Sequence, residues 1–451
     1  MFGPLPIEIC LEIFDQLVLI LGPGYRGLRV ALRLRLVCKF FDREIIRAIH
    51  ATQTLAVGVW VAASERITSD YLRFQVLRNG GSDLYLINTI RTTVRALVLT
   101  EKGSISETDV HKYTTTLSEA LVNVFPAPFI LFALHSNDGI DWLPKAHFVD
   151  SPQHLLSAAA CVGNTDLVER LLLQGVDCNT RSNIFGTPLH LAAYCGHAAT
   201  AKLLLKSGAH PNTKAIRYNE IENTFYLDDK DRKDIFPKTP LQMACYAGQW
   251  EIVRLLLLPE HGVSLTGVHY HIAILSAIKG NHLDIVNHLV NNGDLNSMQP
   301  EFLKHFWHRA LRVACDRGAE GVVRMVLDKE VDLDSPRRAL ESPLSLAAGH
   351  GYEQIVRLLL EKGANPNRLS RSEESRKACT PLSKAAKFGH TGSLQLMLDS
   401  CVPEFPTKII SSATDGGQKH VIQYIIEKGL WSSLSEGMSM NCDYSHFFQG
   451  A

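Results

Sequence analysis

Charge of one sign is the first thing missing. The sequence has 46 Lys and Arg against 46 Asp and Glu, a formal net charge of zero. A dominant phosphate-binding surface and direct binding of nucleic acid are therefore not expected. Glycine and proline number only 31 and 19 among 451 residues, which excludes a collagen-like or Pro/Gly-rich low-complexity chain. The ten cysteines, at 10, 38, 161, 178, 195, 245, 315, 379, 401 and 442, include no C-x-x-C pair. So scattered, they read as small buried hydrophobes rather than a disulfide framework. No basic n-region followed by an apolar run opens the chain, so a secretory signal is not expected. Residues 7–21 carry Glu8, Glu12 and Asp15 and are too short and too charged to span a bilayer. No Asn-x-Ser/Thr acceptor occurs either. A cytoplasmic and/or nuclear protein with no membrane partner is the expectation.

Catalytic wording is equally sparse. G-x-x-x-x-G-K-[ST], G-x-S-x-G and H-E-x-x-H are all absent. The close histidine pairs, His269/His271 and His305/His308, have no cysteine or carboxylate partners at metal spacing. No metal, no cofactor and no enzymatic activity are expected.

What is present is a frame that returns along residues 151–431. It reads Thr187-Pro188-Leu189-His190-Leu191-Ala192-Ala193, then Gly196, Leu203-Leu204-Leu205, Gly208-Ala209 and Asn212. It returns as Ser342-Pro343-Leu344, Ala347-Ala348, Gly351, Leu358-Leu359-Leu360 and Gly363-Ala364. Thr239-Pro240-Leu241 and Thr380-Pro381-Leu382 open two more copies, and four weaker ones fill the gaps. The marker glycines stand at 163, 196, 248, 280, 318, 351, 389 and 417. Proline in a first turn starts a helix, because its missing N–H costs nothing there. The alanines form a face that a neighbouring helix can approach closely, and the marker glycine ends the helix in a left-handed conformation. The leucine block forms the buried face of a second helix. Neither helix buries its apolar face alone, so the units must stack.

This wording, with a period of about 33 residues, resembles the ankyrin repeat. The resemblance implies an all-α solenoid of about eight helix-turn-helix units that binds a target protein through its concave face. That face is built from turn tips and from the two residues before each marker glycine. On it Tyr194, Tyr246, Arg317, His350 and Phe388 are the candidate partner-binding residues, mostly of the types enriched at binding hot spots. Two insertions break the period: residues 214–238, with six basic and six acidic residues, and residues 368–377. Both read as solvated loops between units, with flanking of the binding face as the other reading.

Residues 5–17 form another pattern. Pro6 starts a helix, and Leu5, Ile9 and Ile13 make an apolar stripe with Glu8 and Glu12 outside. Further on come Leu36-Val37-Cys38-Lys39-Phe40-Phe41. This wording resembles an F-box, the helical module that docks on the Skp-family adaptor of cullin–RING ubiquitin ligases. The resemblance implies Leu5, Pro6, Ile9, Ile13, Leu36, Val37 and Phe41 as adaptor-binding residues. The stretch between Leu17 and Leu32 is longer than in that family, and a simple helical cap for the repeats is the competing reading. An F-box-like start ahead of ankyrin repeats resembles a fungal protein family.

The expected organisation is therefore an F-box-like helical module at 1–50, a helical connector at 51–150, repeats at 151–431 and a flexible tail at 432–451. In the connector, residues 71–77, 84–98 and 106–125 read as helices, with breaks at Gly80-Gly81 and Gly103. The expected function is that of a non-catalytic substrate receptor in a cullin–RING ligase. An ankyrin scaffold or transcription coregulator without a ubiquitin role is the alternative.

Overall fold

The structure is a computed structural model that describes residues 65–77, 85–124, 130, 152–182, 185–214, 238–295, 299–329, 331–333, 341–371 and 378–427. The candidate adaptor residues Leu5, Pro6, Ile9, Ile13, Leu36, Val37 and Phe41 lie outside the described residues. So do residues 428–451 and the middles of both insertions, 215–237 and 372–377. The chain divides into two compact units, Met1–Val263 and Ser264–Ala451.

Among the described residues the first unit begins with three helices, α1 (Glu65–Leu77), α2 (Tyr85–Lys102) and α3 (Glu107–Val124), close to the three read from sequence in the connector. Gly103, at φ +69°, makes the break between α2 and α3. Glu107 and Asp109 sit in the first turn of α3, favourable at the positive end of a helix dipole. Thr114 and Ser118, small side chains of α3, are buried, and α1 packs against this helix. Three helix pairs follow: α4 (Pro152–Val162) with α5 (Thr165–Leu173), α6 (Pro188–Cys195) with α7 (Ala198–Lys206), and α8 (Pro240–Ala247) with α9 (Trp250–Leu256). The first helices of the pairs form one row and the second helices another.

Among the described residues the second unit carries five pairs: α10 (Gly267–Lys279) with α11 (Leu283–Asn292), α12 (Pro300–Arg317) with α13 (Glu320–Leu327), α14 (Pro343–His350) with α15 (Glu353–Glu361), α16 (Pro381–Phe388) with α17 (Thr391–Ser400), and α18 (Pro406–Asp415) with α19 (Lys419–Glu427). The same two-row packing holds. Each pair buries a thin layer, such as Leu344, Ala347 and Ala348 over Ile355, Val356 and Leu359. A leucine so buried contributes about 1.5–3 kcal/mol.

Three of the four Thr/Ser-Pro openers cap their helices through the side chain, and Thr187 does not. Thr239 and Thr380 close capping boxes with Gln242 and Ser383, and the Ser342 hydroxyl accepts from the Ser345 N–H. Gly196 and Gly163 take the left-handed conformation, at φ +86° and +76°. One of the weaker copies differs. Gly280 is right-handed, at φ −81°, and the turn after α10 is made by Asn281 at φ +60°. Asparagine is the side chain that tolerates this region best. Helices α10 and α12 run to 13 and 18 residues where the regular first helices have eight. The fold is also not purely helical: Ser370–Arg371 and Ala378–Cys379 pair as a two-residue antiparallel hairpin at the root of the second insertion.

Candidate protein-binding face

Helix α6 is held at both ends. At the start of α6, the Nε2–H of His190 donates to the Lys238 carbonyl at 2.9 Å, and its Nδ1 lies 2.6 Å from the Thr187 hydroxyl. The carbonyl can only accept, so Nε2 carries the proton and Nδ1 accepts from Thr187. Burial holds this imidazole neutral, with a pKa lowered to about 4. His190 thereby joins its own unit to the start of the next, on the far side of residues 215–237.

The opposite end uses the marker glycine. The Nε2–H of His197 donates to the Cys161 carbonyl at 3.0 Å, Gln249 Nε2 to the Tyr194 carbonyl at 3.1 Å, and His390 Nε2 to the Gly349 carbonyl at 3.1 Å. These bonds run between neighbouring units. Each incoming side chain lies against the preceding marker glycine. A Cβ on Gly196 would stand 2.4 Å from Gln249 Oε1, and one on Gly163 2.5 Å from His197 Nδ1. The glycine is thus demanded twice, by its φ and by its neighbour.

The residues before these glycines are the candidate face. In the second unit Arg317 and His350 are exposed and Phe388 half-buried. Arg317 Nε lies 3.4 Å from Asp316 Oδ2, the His350 ring stacks on Tyr352 at 5.6 Å, and the Lys387 ammonium sits 5.2 Å from the Phe388 ring centroid. In the first unit Tyr194 and Tyr246 are half-buried, and their surroundings differ from the expectation of an open groove. The Lys238 ammonium lies 5.4 Å from the Tyr246 ring centroid and donates to the Asn123 carbonyl in the last turn of α3. Not every such position faces outward: Cys161 and Ile278 are fully buried.

One interaction in the second unit has no counterpart in the sequence reading. Lys384 occupies the place held by Leu191, Met243 and Leu346 in sister units. Its ammonium pairs with the Glu341 carboxylate at the start of the preceding unit, with the two side chains only 10% and 2% exposed. Gly349 makes room for it, since a Cβ there would stand 2.7 Å from Lys384 Cε. The signal that could have found it was a lysine standing in an otherwise apolar column.

Of the described cysteines Cys161, Cys178, Cys245 and Cys315 are buried, whereas Cys195, Cys379 and Cys401 are half-buried. Burial pushes the Cys245 and Cys315 thiols up. Cys161 and Cys195 bring their sulfurs within 3.4 Å, a contact that raises the Cys161 thiol further. Among the described residues no group of three or more His, Cys, Asp or Glu could hold a metal ion, and no helix is long and apolar enough to cross a membrane.

Family models described as ankyrin repeats match residues 130–215, 214–299 and 271–370 in one case and 344–398 in another. The first spans more than half of the sequence, and the chain belongs to the ankyrin repeat family. The ankyrin repeat and KH domain-containing protein mask-1 of Caenorhabditis elegans is 28% identical over 300 residues, 63% of this chain and 10% of its own length. The probable E3 ubiquitin-protein ligase XBOS32 of Oryza sativa subsp. japonica is 27% identical over 231 residues, 48% of this chain and 38% of its own. A crystal structure of the human ASB11 ankyrin repeat domain aligns with 55% of this chain and 98% of its own, at 28% identity and a TM-score of 0.40. The chain spans about a tenth or less of the length of the first curated relatives. These matches concern repeats, and the F-box-like and fungal resemblances draw no support from them.

Proposed function

We propose that the chain is a non-catalytic protein-binding subunit that holds a target protein on the inner face of its repeats. The observation that carries this reading is the placement of Arg317, His350 and Phe388 at equivalent positions of successive units, with Arg317 and His350 exposed. Side chains of varied chemistry on a scaffold fixed by caps, buried alanines and inter-unit hydrogen bonds suit recognition, because little ordering entropy is lost on binding.

Within that reading, a substrate receptor of a cullin–RING ubiquitin ligase is the finer assignment. It rests on the F-box-like wording that contains Leu5, Pro6, Ile9, Ile13, Leu36, Val37 and Phe41, and a plant relative bears the name of a probable ubiquitin ligase. Action in the cytoplasm or nucleus belongs to the same proposal. The second reading is a scaffold or regulator without a ubiquitin role, favoured by the long stretch between Leu17 and Leu32 in the F-box-like wording.

Co-purification separates them. The substrate-receptor reading expects the full chain to retain a Skp-family adaptor, Val37→Asp to lose it, and the bound target's half-life to lengthen on depletion of the chain. Retention of a target with no adaptor and an unchanged half-life would leave the scaffold. If Arg317→Glu with Phe388→Asp leaves all protein binding intact, the inner-face assignment itself is wrong.

A further inference from the structure

Within the first unit, the inner face already has an occupant. Helix α6 packs against α7 on its outer side, against α4 and α8 along the stack, and against α3 on the side that remains. Helix α4 is surrounded in the same way, by α5, α6, α2 and α3. Since α5 and α7 form the outer row, α3 lies along the inner face, where a ligand of the repeats would lie.

The join has definite chemistry at its end. Val124 Cγ1 stands 3.5 Å from the point where a Cβ on Gly186 would be, so the absence of a side chain at 186 admits an aliphatic one from α3. One residue earlier, the Asn123 carbonyl accepts from the Lys238 ammonium. The last four carbonyls of a helix have no partner within it, and that end carries partial negative charge. No basic residue of α3 lies in its last turn. Lys238 supplies the cation, with its backbone held by His190 and its ammonium over the Tyr246 ring. Leu117, Ala120, Leu121 and Val124 are buried and stand at i, i+3, i+4 and i+7 of α3, the spacing by which an amphipathic helix lays one apolar face into a groove, and Val124 of that row is the residue at Gly186.

We propose that the inner face of the first three repeat pairs is a groove for an amphipathic helix of a protein partner, and that α3 is its built-in competitor. The partner helix presents an aliphatic side chain to Gly186 and its C-terminal carbonyls to Lys238, as α3 does. It binds when α3 withdraws, so the free chain is self-closed. This inference rests on the reading that the inner face is the ligand-binding face, and it adds the class of ligand and the means of regulation.

The test uses the full chain with Val124→Asp, which sets a carboxylate against Gly186 in place of the aliphatic contact, and with Lys238→Ala. The probe is a fluorescein-labelled peptide of wild-type residues 104–126, followed by anisotropy, alongside amide hydrogen exchange. Val124→Asp is expected to raise exchange in 107–124 at least tenfold, leave 264–427 unchanged, and bind the peptide at least tenfold more tightly than the wild type. Lys238→Ala is expected to raise exchange in 107–124 as well but to bind the peptide less tightly than Val124→Asp does. Unchanged exchange in 107–124 in both variants, or release of α3 without any gain in peptide binding, overturns the proposal. If Val124→Asp unfolds the first unit, seen as faster exchange throughout 152–256, the Lys238→Ala variant decides: protection of α3 equal to the wild type refutes the lid. The peptide assay needs no external target. A chain that binds the peptide but no target keeps this inference and loses the proposed function, whereas a target bound equally by wild type and Val124→Asp sinks this inference alone.

Discussion

Replacing Lys384 by methionine removes one charge from the most buried ion pair among the described residues. The Lys384 and Glu341 side chains are 10% and 2% exposed, so both ions have given up nearly all of their water. Desolvation costs several kcal/mol per ion, and the mutual attraction at an effective dielectric near 20 returns about 4 kcal/mol for charges about 4 Å apart. The attraction offsets only part of these two costs, so the intact pair adds no net stability. The single variant is worse placed still, because the Glu341 carboxylate stays buried without its ammonium. A loss of about 3–5 kcal/mol is expected. At about 1.4 kcal/mol per factor of ten, this corresponds to a rise of two or more orders of magnitude in amide exchange from helices α14 and α16 if they open together. Methionine at both positions should restore stability to within about 1 kcal/mol of the wild type, since apolar side chains of similar volume carry no desolvation cost. Urea denaturation of the full chain, with exchange read over 343–361 and 381–400, measures all three. A single variant within about 1 kcal/mol of the wild type, or a double variant as damaged as the single one, would refute the reasoning.

Gly196→Ala should cost about 2–3 kcal/mol, combining a left-handed alanine with the displaced Gln249 hydrogen bond. Gly208→Ala, at φ +87° with nothing within 4 Å of a new Cβ, should cost only the backbone part, about 1–2 kcal/mol; equal losses in thermal melts would mean that the inter-unit contact contributes nothing. Asn281→Gly should be neutral or stabilising by less than about 1 kcal/mol, and Asn281→Ala destabilising by about 1–2, because φ +60° suits glycine and strains alanine. His190 makes stability depend on pH. Its folded pKa of about 4 lies below the unfolded value of about 6.5, so the unfolded chain binds the extra proton and stability falls as pH drops from about 6.5 towards 4. The loss from this residue should reach about 2 kcal/mol at pH 5, and a His190→Gln chain should show a shallower fall between pH 7 and 5 in denaturant titrations.

The candidate face was legible in part for a physical reason that particular residues show. Tyr194, Tyr246, Arg317, His350 and Phe388 could be placed beside their marker glycines because the repeat carries each to an equivalent position. What surrounds them could not be read. Lys238 reaches Asn123 across 115 residues, and a single contact of that span leaves no periodic trace. Asn281 was missed because Gly280 stands at the expected place in the period, while the chain makes its turn one residue later.

The sequence by itself determined the unit. Proline in the first turn, alanines on the close face, a leucine block and a glycine stop are local choices, each enforced by backbone sterics or by the need to bury one helical stripe, and together they specify paired helices that must stack. Tertiary structure alone decided what the unit meets. It set Lys384 against Glu341 and opened Gly349 to admit it, turned His197 and Gln249 outward to the carbonyls of the preceding unit, and laid α3 along the inner face of α4 and α6. Those outcomes depend on which surfaces come within a few ångströms once the layers are packed, and a zero net charge with a 33-residue period is silent about that.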